Sequence, residues 1–410
     1  MAKLAIGSSL ARIIGVCAVP ILTRLYTPED FGVVAVFVAL VALLAPVLTL
    51  RYVVAIPLPR HDGVAMNLMA LSLGLMLILG VFLTICLALF AQPLLELISM
   101  GDLASWWWLI ILALIGTGTY EMLSLWATRR REYEEIARTQ VTQSVAGAVV
   151  KIGFGLFGAG SIGLLVGQVV TQSAGIGTFV RRFLQEFKGN WSQVRLSRLM
   201  FAALKHRGFP TYRLPSQFFL VFSAQAPLFF VAVFYDKSTV GQFSLALTVL
   251  AIPVSVLSQT IARAFYAEIA PIAKQKMRML HLSTSVAKRA ALFGVIPAFF
   301  VIATSPFVFP LLFGEAWAAA GWMASILAIC IVPQFVSQSL VQILSATERN
   351  HIYLLFNISR AALVIATLAI PPFLGFGIYV TVFTYSIVLS IQRVLQSISV
   401  LRILTVNVKK

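Results

Sequence analysis

The sequence contains little charge for its length, and few of the residues on which metal sites and many enzymes depend. Charged residues make up 11% of its 410 positions, against roughly a quarter in typical globular chains. Only four histidines and three cysteines occur, and Cys17, Cys86 and Cys330 lie in separate apolar runs. This spacing excludes a disulfide framework and argues against a zinc site. The sequence also lacks a Gly-x-x-x-x-Gly-Lys motif for nucleotide phosphates.

Hydrophobic residues dominate instead, at 60% of the chain, with a mean hydropathy of +0.95. A helix needs about 20 mainly apolar residues to cross roughly 30 Å of hydrocarbon. We therefore predict an all-α polytopic membrane protein with about twelve transmembrane helices. The predicted spans cover residues 5–23, 31–57, 67–91, 105–127, 139–158, 161–180, 214–234, 241–262, 286–313, 322–345, 352–371 and 376–398.

The charge is strongly one-sided, with 31 basic and 14 acidic residues and a net charge of +17. In a soluble protein this balance would suggest a nucleic-acid partner. Cytoplasmic loops of membrane proteins, however, collect Lys and Arg. If both termini are cytoplasmic, 24 cations fall in inner segments and only Arg24 and Lys237 fall outside. This asymmetry predicts cytoplasmic termini and explains most of the charge without nucleic acid.

Two halves of the chain share a weak internal repeat. Residues 29–32 open the second span and residues 238–241 open the eighth, and a proline follows within each helix, Pro46 and Pro253. The segment 51–55 likewise resembles 263–267. We predict two six-helix lobes, residues 1–180 and 214–410, with a substrate cleft between them. Residues 181–213 alternate apolar and basic side chains, which favours an amphipathic connector at the inner headgroups over a solvated linker.

Five cations fall within the predicted spans, where a lipid-facing charge costs about 2.5–3.5 kcal/mol at a helix centre. They are Arg12, Arg51, Lys151, Arg360 and Arg393. Four lie in the inner third of their spans and could instead be snorkelling anchors, whereas Lys151 lies near mid-depth. Glu121 is the single acid placed in a span, so the five cations cannot all be paired internally. The pattern predicts a positively charged cavity and an anionic ligand, such as a diphosphate.

Polar stripes accompany these cations at helical spacing. Gln140, Ser144 and Gly147 share a face with Lys151, and Gln334 and Gln338 form part of a stripe in the tenth span. Such stripes either line a hydrated cavity or form interhelical hydrogen-bond seams. We predict substrate contacts from the five cations and from Gln140, Gln334 and Gln338. Glu121 is the candidate for ion coupling, with a static salt bridge as the alternative.

Three motifs carry a resemblance to a known family. Leu22-Thr23-Arg24-Leu25-Tyr26-Thr27-Pro28-Glu29-Asp30-Phe31-Gly32 is similar to the opening motif of bacterial polysaccharide-biosynthesis membrane proteins, the oligosaccharide flippases of O-antigen and exopolysaccharide export. Arg51-Tyr52-Val53-Val54-Ala55-Ile56-Pro57-Leu58-Pro59 resembles the segment closing their second helix. Leu312-Phe313-Gly314-Glu315-Ala316-Trp317-Ala318-Ala319-Ala320-Gly321 resembles their external turn after the ninth helix.

The resemblance implies the fold of the multidrug/oligosaccharidyl-lipid/polysaccharide exporter superfamily, with two lobes and alternating access. It implies an undecaprenyl-diphosphate-linked oligosaccharide as substrate, moved from the cytoplasmic to the periplasmic leaflet of the bacterial inner membrane. It also implies a polysaccharide polymerase and chain-length machinery as candidate partners. No cofactor is expected beyond a coupling ion, and the sequence does not choose between proton and sodium.

Three alternatives remain. A multidrug exporter of the same superfamily would be expected to carry more intramembrane acid for cationic drugs. An exporter of another lipid-linked precursor, such as that of peptidoglycan, fits the same cations. A membrane glycosyltransferase or polymerase would need positioned acids or bases near an aqueous site, commonly in a sizeable loop. The predicted external loops here are short, which disfavours the enzyme.

Overall fold

The computed structural model describes residues 2–269, 275–346 and 350–406. Regular structure in these ranges is helical throughout, and ten of their helices are long and apolar enough to cross a membrane. The predicted all-α polytopic fold is confirmed. The side chains of residues 252–264, 266 and 267 lie outside the described part of the chain, and these include most of the predicted repeat at 263–267.

The chain divides into two compact units, residues 1–225 and residues 226–410. In the first unit, α1 packs on α5, α5 packs on α6, and α4 contacts α2, α3 and α6. Its helices are α1 (Ala2–Leu25), α2 (Pro28–Leu48), α3 (Asp62–Glu96), α4 (Trp107–Arg129), α5 (Tyr133–Leu156), α6 (Ser161–Ser173), α7 (Ile176–Trp191) and α8 (Leu196–Lys205).

In the second unit, α11 packs on α12 and α13, α10 contacts the same two helices, and α15 packs on α16. The remaining helices of the chain are α9 (Leu214–Phe234), which crosses the boundary, α10 (Lys237–Ile269), α11 (Lys276–Phe313), α12 (Ala318–Leu327), α13 (Ile331–Leu340), α14 (Gln342–Ala346), α15 (Asn350–Phe373) and α16 (Ile378–Val406).

Local sequence explains where α2 begins. The Thr27 hydroxyl accepts from the Asp30 backbone at 3.2 Å, and the Asp30 carboxylate accepts from the Thr27 backbone at 3.0 Å. This is a reciprocal capping box, and Pro28 occupies the first helical position, where a missing N–H has no consequence. The other Asp30 oxygen accepts from Ser161 at 2.6 Å, which ties the start of α2 to the start of α6.

The helix boundaries differ from the predicted spans at three points. The predicted span 31–57 ends early, since α2 stops at Leu48 and a short 3-10 turn occupies Tyr52–Ala55. The span predicted at 161–180 is a 13-residue helix followed by a turn at Gly175, where φ is +92°. The span predicted at 322–345 is built from α12, α13 and α14. Hydropathy alone does not show these breaks, because each predicted span remains mainly apolar when averaged over its length.

The connector predicted at 181–213 contains amphipathic helices that pack on the other helices of the first unit. Phe179 and Phe183 of α7 and Ala202 of α8 are buried in its core. Arg130, at the end of α4, bonds Asp62 at 2.9 Å and Glu186 of α7 at 2.7 Å. Burial alone would lower the pKa of the Arg130 guanidinium, but the hydrogen bonds and charges of these two carboxylates outweigh burial and raise it. The connector is therefore held by both apolar and ionic contacts.

Candidate functional site

Lys151 of α5 lies at a close approach of α5 and α6. A Cβ atom at Gly167 of α6 would contact the Lys151 side chain and would lie 3.2 Å from its backbone nitrogen. The Lys151 ammonium donates to the Gln168 side-chain carbonyl at 2.8 Å. No ion pair involves Lys151 within the described residues. The ammonium thus has a neutral hydrogen-bond partner and no counter-ion among the described residues.

Tyr26 ties the opening motif to this lysine. Its hydroxyl donates to the Lys151 backbone carbonyl at 2.6 Å, and its ring is buried with Ala18, Leu22 and Leu164. Thr27 and Asp30 follow directly and cap α2. The motif at residues 22–32 therefore joins α1, α2, α5 and α6 around Lys151.

Other polar side chains of the stripes bond across helix pairs. Gln140 accepts from Ser8 of α1 at 2.6 Å, and Gln172 of α6 accepts from Thr117 of α4 at 3.0 Å. Gln143 donates to the Gln172 backbone carbonyl at 3.3 Å. Gln140, a member of the predicted stripes, thus makes an interhelical hydrogen bond, the second of the two roles open for them. Gln140 is placed on the same helix as Lys151, three turns earlier.

Arg51 and Glu121 form an ion pair with a separation of 2.8 Å between Nη1 and Oε1. The Arg51 side chain is 14% exposed and that of Glu121 is 31% exposed. The Arg51 Nε atom is buried and has no hydrogen-bond partner. Leu50 and Arg51 both have positive φ, +44° and +61°, which non-glycine residues seldom adopt. The salt bridge that was the alternative to ion coupling is therefore present, and it holds a strained backbone.

Arg393 of α16 repeats the arrangement of Lys151 in the second unit. Its Nη1 donates to the Gln334 side chain of α13 at 2.6 Å and approaches the Cys330 carbonyl at 3.4 Å. Within the described residues no carboxylate lies in ion-pair distance of Arg393. Arg360 of α15 is close enough to influence Arg393 electrostatically. Arg393 and Gln334, predicted separately, are thus brought together.

The remaining predicted residues are more open. Arg12 on α1 and Gln338 on α13 are exposed, and Arg360 is partly buried. Sequence reasoning did not predict a site role for Tyr26, Ser8 or Gln168. The capping pattern Thr-Pro-Glu-Asp could have drawn attention to the segment next to Tyr26. The pairing of Lys151 with Gln168 depends on the packing of α5 on α6, which the sequence does not specify.

The match to a family decides the classification. The family of polysaccharide biosynthesis proteins matches residues 21–321, and so includes all three motifs described above. The chain belongs to this family. No curated protein matches the sequence of this chain significantly.

Solved structures similar to this polysaccharide biosynthesis protein include multidrug transporters and a lipid flippase. An inward-facing multidrug-resistance transporter of the MATE family and MOP superfamily has a TM-score of 0.66 at 18% identity, over 97% of this chain and 96% of that one. The lipid II flippase MurJ, in an inward closed conformation, has a TM-score of 0.68 at 10% identity, over 100% and 88%. The MATE transporter DinF-BH has a TM-score of 0.60 at 17% identity, over 98% and 96%. The fold is therefore that of the MOP exporter superfamily.

Proposed function

We propose that this protein is a flippase for an undecaprenyl-diphosphate-linked oligosaccharide, an O-antigen or exopolysaccharide repeat unit. It would move the lipid from the cytoplasmic to the periplasmic leaflet of the bacterial inner membrane by alternating access. The family match and the exporter fold support a transporter that acts in polysaccharide biosynthesis. They leave open which lipid-linked substrate is carried.

The observation that supports an anionic substrate is the neutral partnering of deep cations. Lys151 and Arg393 each bond a glutamine amide, which satisfies a donor but does not cancel charge. An uncompensated cation among packed helices costs several kcal/mol, and a diphosphate would offset this cost with charge-assisted hydrogen bonds. Arg12, Arg360, Gln140 and Gln338 are proposed as further contacts with the headgroup or its sugars.

Arg51 and Glu121 suggest a route to ion coupling. Arg51 donates to Glu121 through Nη1 in this structure, so a diphosphate that binds Arg51 would compete with the carboxylate for this guanidinium. A carboxylate that loses a nearby guanidinium binds a proton more readily. We therefore propose that substrate binding at Arg51 and ion binding at Glu121 are linked, with a proton or sodium gradient as the driving force.

Transport in proteoliposomes tests the proposal. Purified protein is reconstituted with a fluorescent polyprenyl-diphosphate oligosaccharide, and the lipid reaching the far leaflet is measured with a membrane-impermeant glycosidase. We expect Lys151→Gln and Arg393→Gln each to lower the rate at least about tenfold, the loss of one charge-assisted contact. Arg138→Gln, which removes an exposed cation, should leave the rate unchanged.

The same vesicles discriminate the alternatives. Faster movement of a peptidoglycan lipid precursor than of the oligosaccharide lipid would assign the protein to that substrate. Uptake of a cationic dye with no lipid movement would assign it to multidrug export. Equal rates for wild type, Lys151→Gln and Arg393→Gln, with all three proteins folded, would remove the proposed role of the deep cations.

A further inference from the structure

The second unit contains a groove of about 670 Å³ between the end of α10 and the beginning of α11. Both walls belong to this unit, and none of the candidate site residues described above lines it. The described lining is half polar and half apolar. It consists of Phe265 and Glu268 from α10, and Arg278, His281, Leu282, Ser285, Val286, Arg289, Ala290 and Phe293 from α11.

The polar residues of α11 form one continuous face. Arg278, His281, Ser285 and Arg289 are spaced three, four and four residues apart, which places them above one another on a helix. Arg289 has no ion-pair or side-chain hydrogen-bond partner in the part of the chain that the structure describes. Among the described lining residues, the two arginines and Glu268 leave one net positive charge when His281 is neutral.

The same face continues into an apolar surface. Phe293, Ile296 and Phe300 follow Arg289 at helical spacing and are 63%, 70% and 63% exposed. Helix α11 has 38 residues and is about 57 Å long, well beyond the roughly 30 Å of a hydrocarbon core. Its first turns must therefore extend into the headgroup layer or beyond while its later turns contact lipid tails.

We propose that this groove binds one anionic phospholipid of the surrounding bilayer. Its phosphodiester lies against Arg289, its polar headgroup extends toward Arg278 three turns earlier on α11, and one acyl chain follows Phe293, Ile296 and Phe300. A singly charged phosphodiester matches the net charge of the lining better than a diphosphate does. Planar guanidinium groups offer paired donors to phosphate oxygens, and the exposed aromatic rings accept an acyl chain. The site concerns a structural lipid and does not depend on the proposed transport.

A thiol placed in the groove tests this site directly. The full chain carries Cys17→Ser and Cys86→Ser, keeps the buried Cys330, and has Ser285→Cys as the reporter. It is placed in nanodiscs of phosphatidylcholine alone or mixed with phosphatidylglycerol, and its reaction rate with neutral N-ethylmaleimide is measured. We expect phosphatidylglycerol to slow the reaction about fivefold when it exceeds its dissociation constant severalfold.

Two variants show whether the arginines are responsible. Arg278→Gln combined with Arg289→Gln should reduce the protection to less than about twofold, because both charged donors are lost. Lys288→Gln removes a neighbouring exposed cation outside the groove and should leave protection intact. If the double variant does not fold, Arg289→Gln alone should show intermediate protection.

Four outcomes would overturn the proposal. Equal slowing of a Lys288→Cys reporter would mean a general effect of the anionic surface. Full protection in the folded arginine variants would show that the lipid does not bind through Arg278 and Arg289. Equal protection by soluble glycerol phosphate would identify a free phosphate ester as ligand. Stronger protection by a polyprenyl diphosphate than by phosphatidylglycerol would show that the groove binds the proposed transport substrate in preference to a phospholipid.

Discussion

At the scale of single residues, the chemistry of the site depends on what each cation touches. Lys151 and Arg393 contact amide oxygens, whereas Arg51 contacts a carboxylate. An amide oxygen accepts a hydrogen bond from the cation but does not neutralise its positive charge. A carboxylate accepts the hydrogen bond and also neutralises that charge. In the proposed function, Lys151 and Arg393 would therefore bind an anion in this conformation, whereas Arg51 would have to weaken its ion pair with Glu121 first.

Gln168→Glu tests this distinction without removing a side chain. The new carboxylate lies within 2.8 Å of the Lys151 ammonium and neutralises it, so the affinity for a diphosphate lipid should fall at least about tenfold, or about 1.4 kcal/mol. Thermal stability should stay the same or rise, because the buried cation acquires a counter-ion. A binding titration with a labelled polyprenyl diphosphate and a melting curve measure the two quantities.

The matched control is Gln185→Glu, the same chemical change at an exposed position of α7. Its affinity for the lipid should equal that of the wild type. Equal affinity of the Gln168→Glu variant as well would show that Lys151 does not contact the headgroup. A large loss of stability in Gln168→Glu would show instead that the amide, and not the charge, is required at this position.

The backbone at Leu50 and Arg51 shows a limit of prediction at this scale. Residues 31–57 read as one apolar run, and hydropathy predicts one continuous helix. The structure breaks the helix at two residues with positive φ, an arrangement that costs roughly 1–2 kcal/mol per residue. The contacts that hold it, including the bond from Arg51 to Glu121 seventy positions away, are tertiary. The sequence predicted both charges but not their contact.

At the scale of helices, the position of Lys151 depends on how closely α5 and α6 approach. Glycines at helix crossings permit such an approach because they carry no side chain. Gly167 faces Lys151, and Gly147 faces Thr171 of α6 in the same way. This seam sets the distance from Lys151 to Gln168, so helix packing and the electrostatics of the site are linked.

Gly167→Ala should therefore disturb the seam. The added methyl group meets the Lys151 side chain and lies 3.2 Å from backbone, which α5 can relieve only by moving away. We expect a loss of about 1–3 kcal/mol in stability, as for other overpacked sites, together with weaker substrate binding. A melting curve in detergent and the lipid titration described above measure both effects.

Gly153→Ala on α5 is the control for helix propensity. A Cβ at Gly153 has no neighbour within 4 Å, so this substitution should be neutral or stabilise by up to about 1 kcal/mol. If Gly167→Ala behaves like Gly153→Ala, the two helices are less closely packed than described, and the contact from Lys151 to Gln168 loses its support.

Helix number was more predictable than helix contacts. Long apolar runs specify a span through composition alone, and all twelve predicted spans contain helix in the described residues. Helix α5 does not qualify as a candidate span because of its polar face. It nevertheless packs between α1, which qualifies, and α6, which qualifies together with α7 as the segment Ser161–Trp191. The polar face that lowers its hydropathy is the face that carries Gln140 and Lys151. Hydropathy is thus a weaker predictor of a membrane span at the helix that contributes most to the candidate site.

At the scale of the whole molecule, the two units share a chemical arrangement without close sequence similarity. Each contains a basic residue on one helix that donates to a glutamine on a neighbouring helix. The repeat found in the sequence concerned helix starts and prolines, and it did not predict this correspondence. Shared chemistry in both units is expected of a transporter built from two similar lobes.

The distribution of cations makes a prediction about the orientation of the whole chain. The inner segments carry 24 cations and the outer ones two, so the loop after α5 should face the periplasm and the connector should face the cytoplasm. Phe157 in that loop is 90% exposed, and Ser192 in the connector is exposed. In cells with a permeable outer membrane, an impermeant maleimide should label Phe157→Cys, and should label Ser192→Cys only after lysis. Both reporters require Cys17→Ser and Cys86→Ser, and the reverse labelling pattern would invert the topology and the proposed direction of transport.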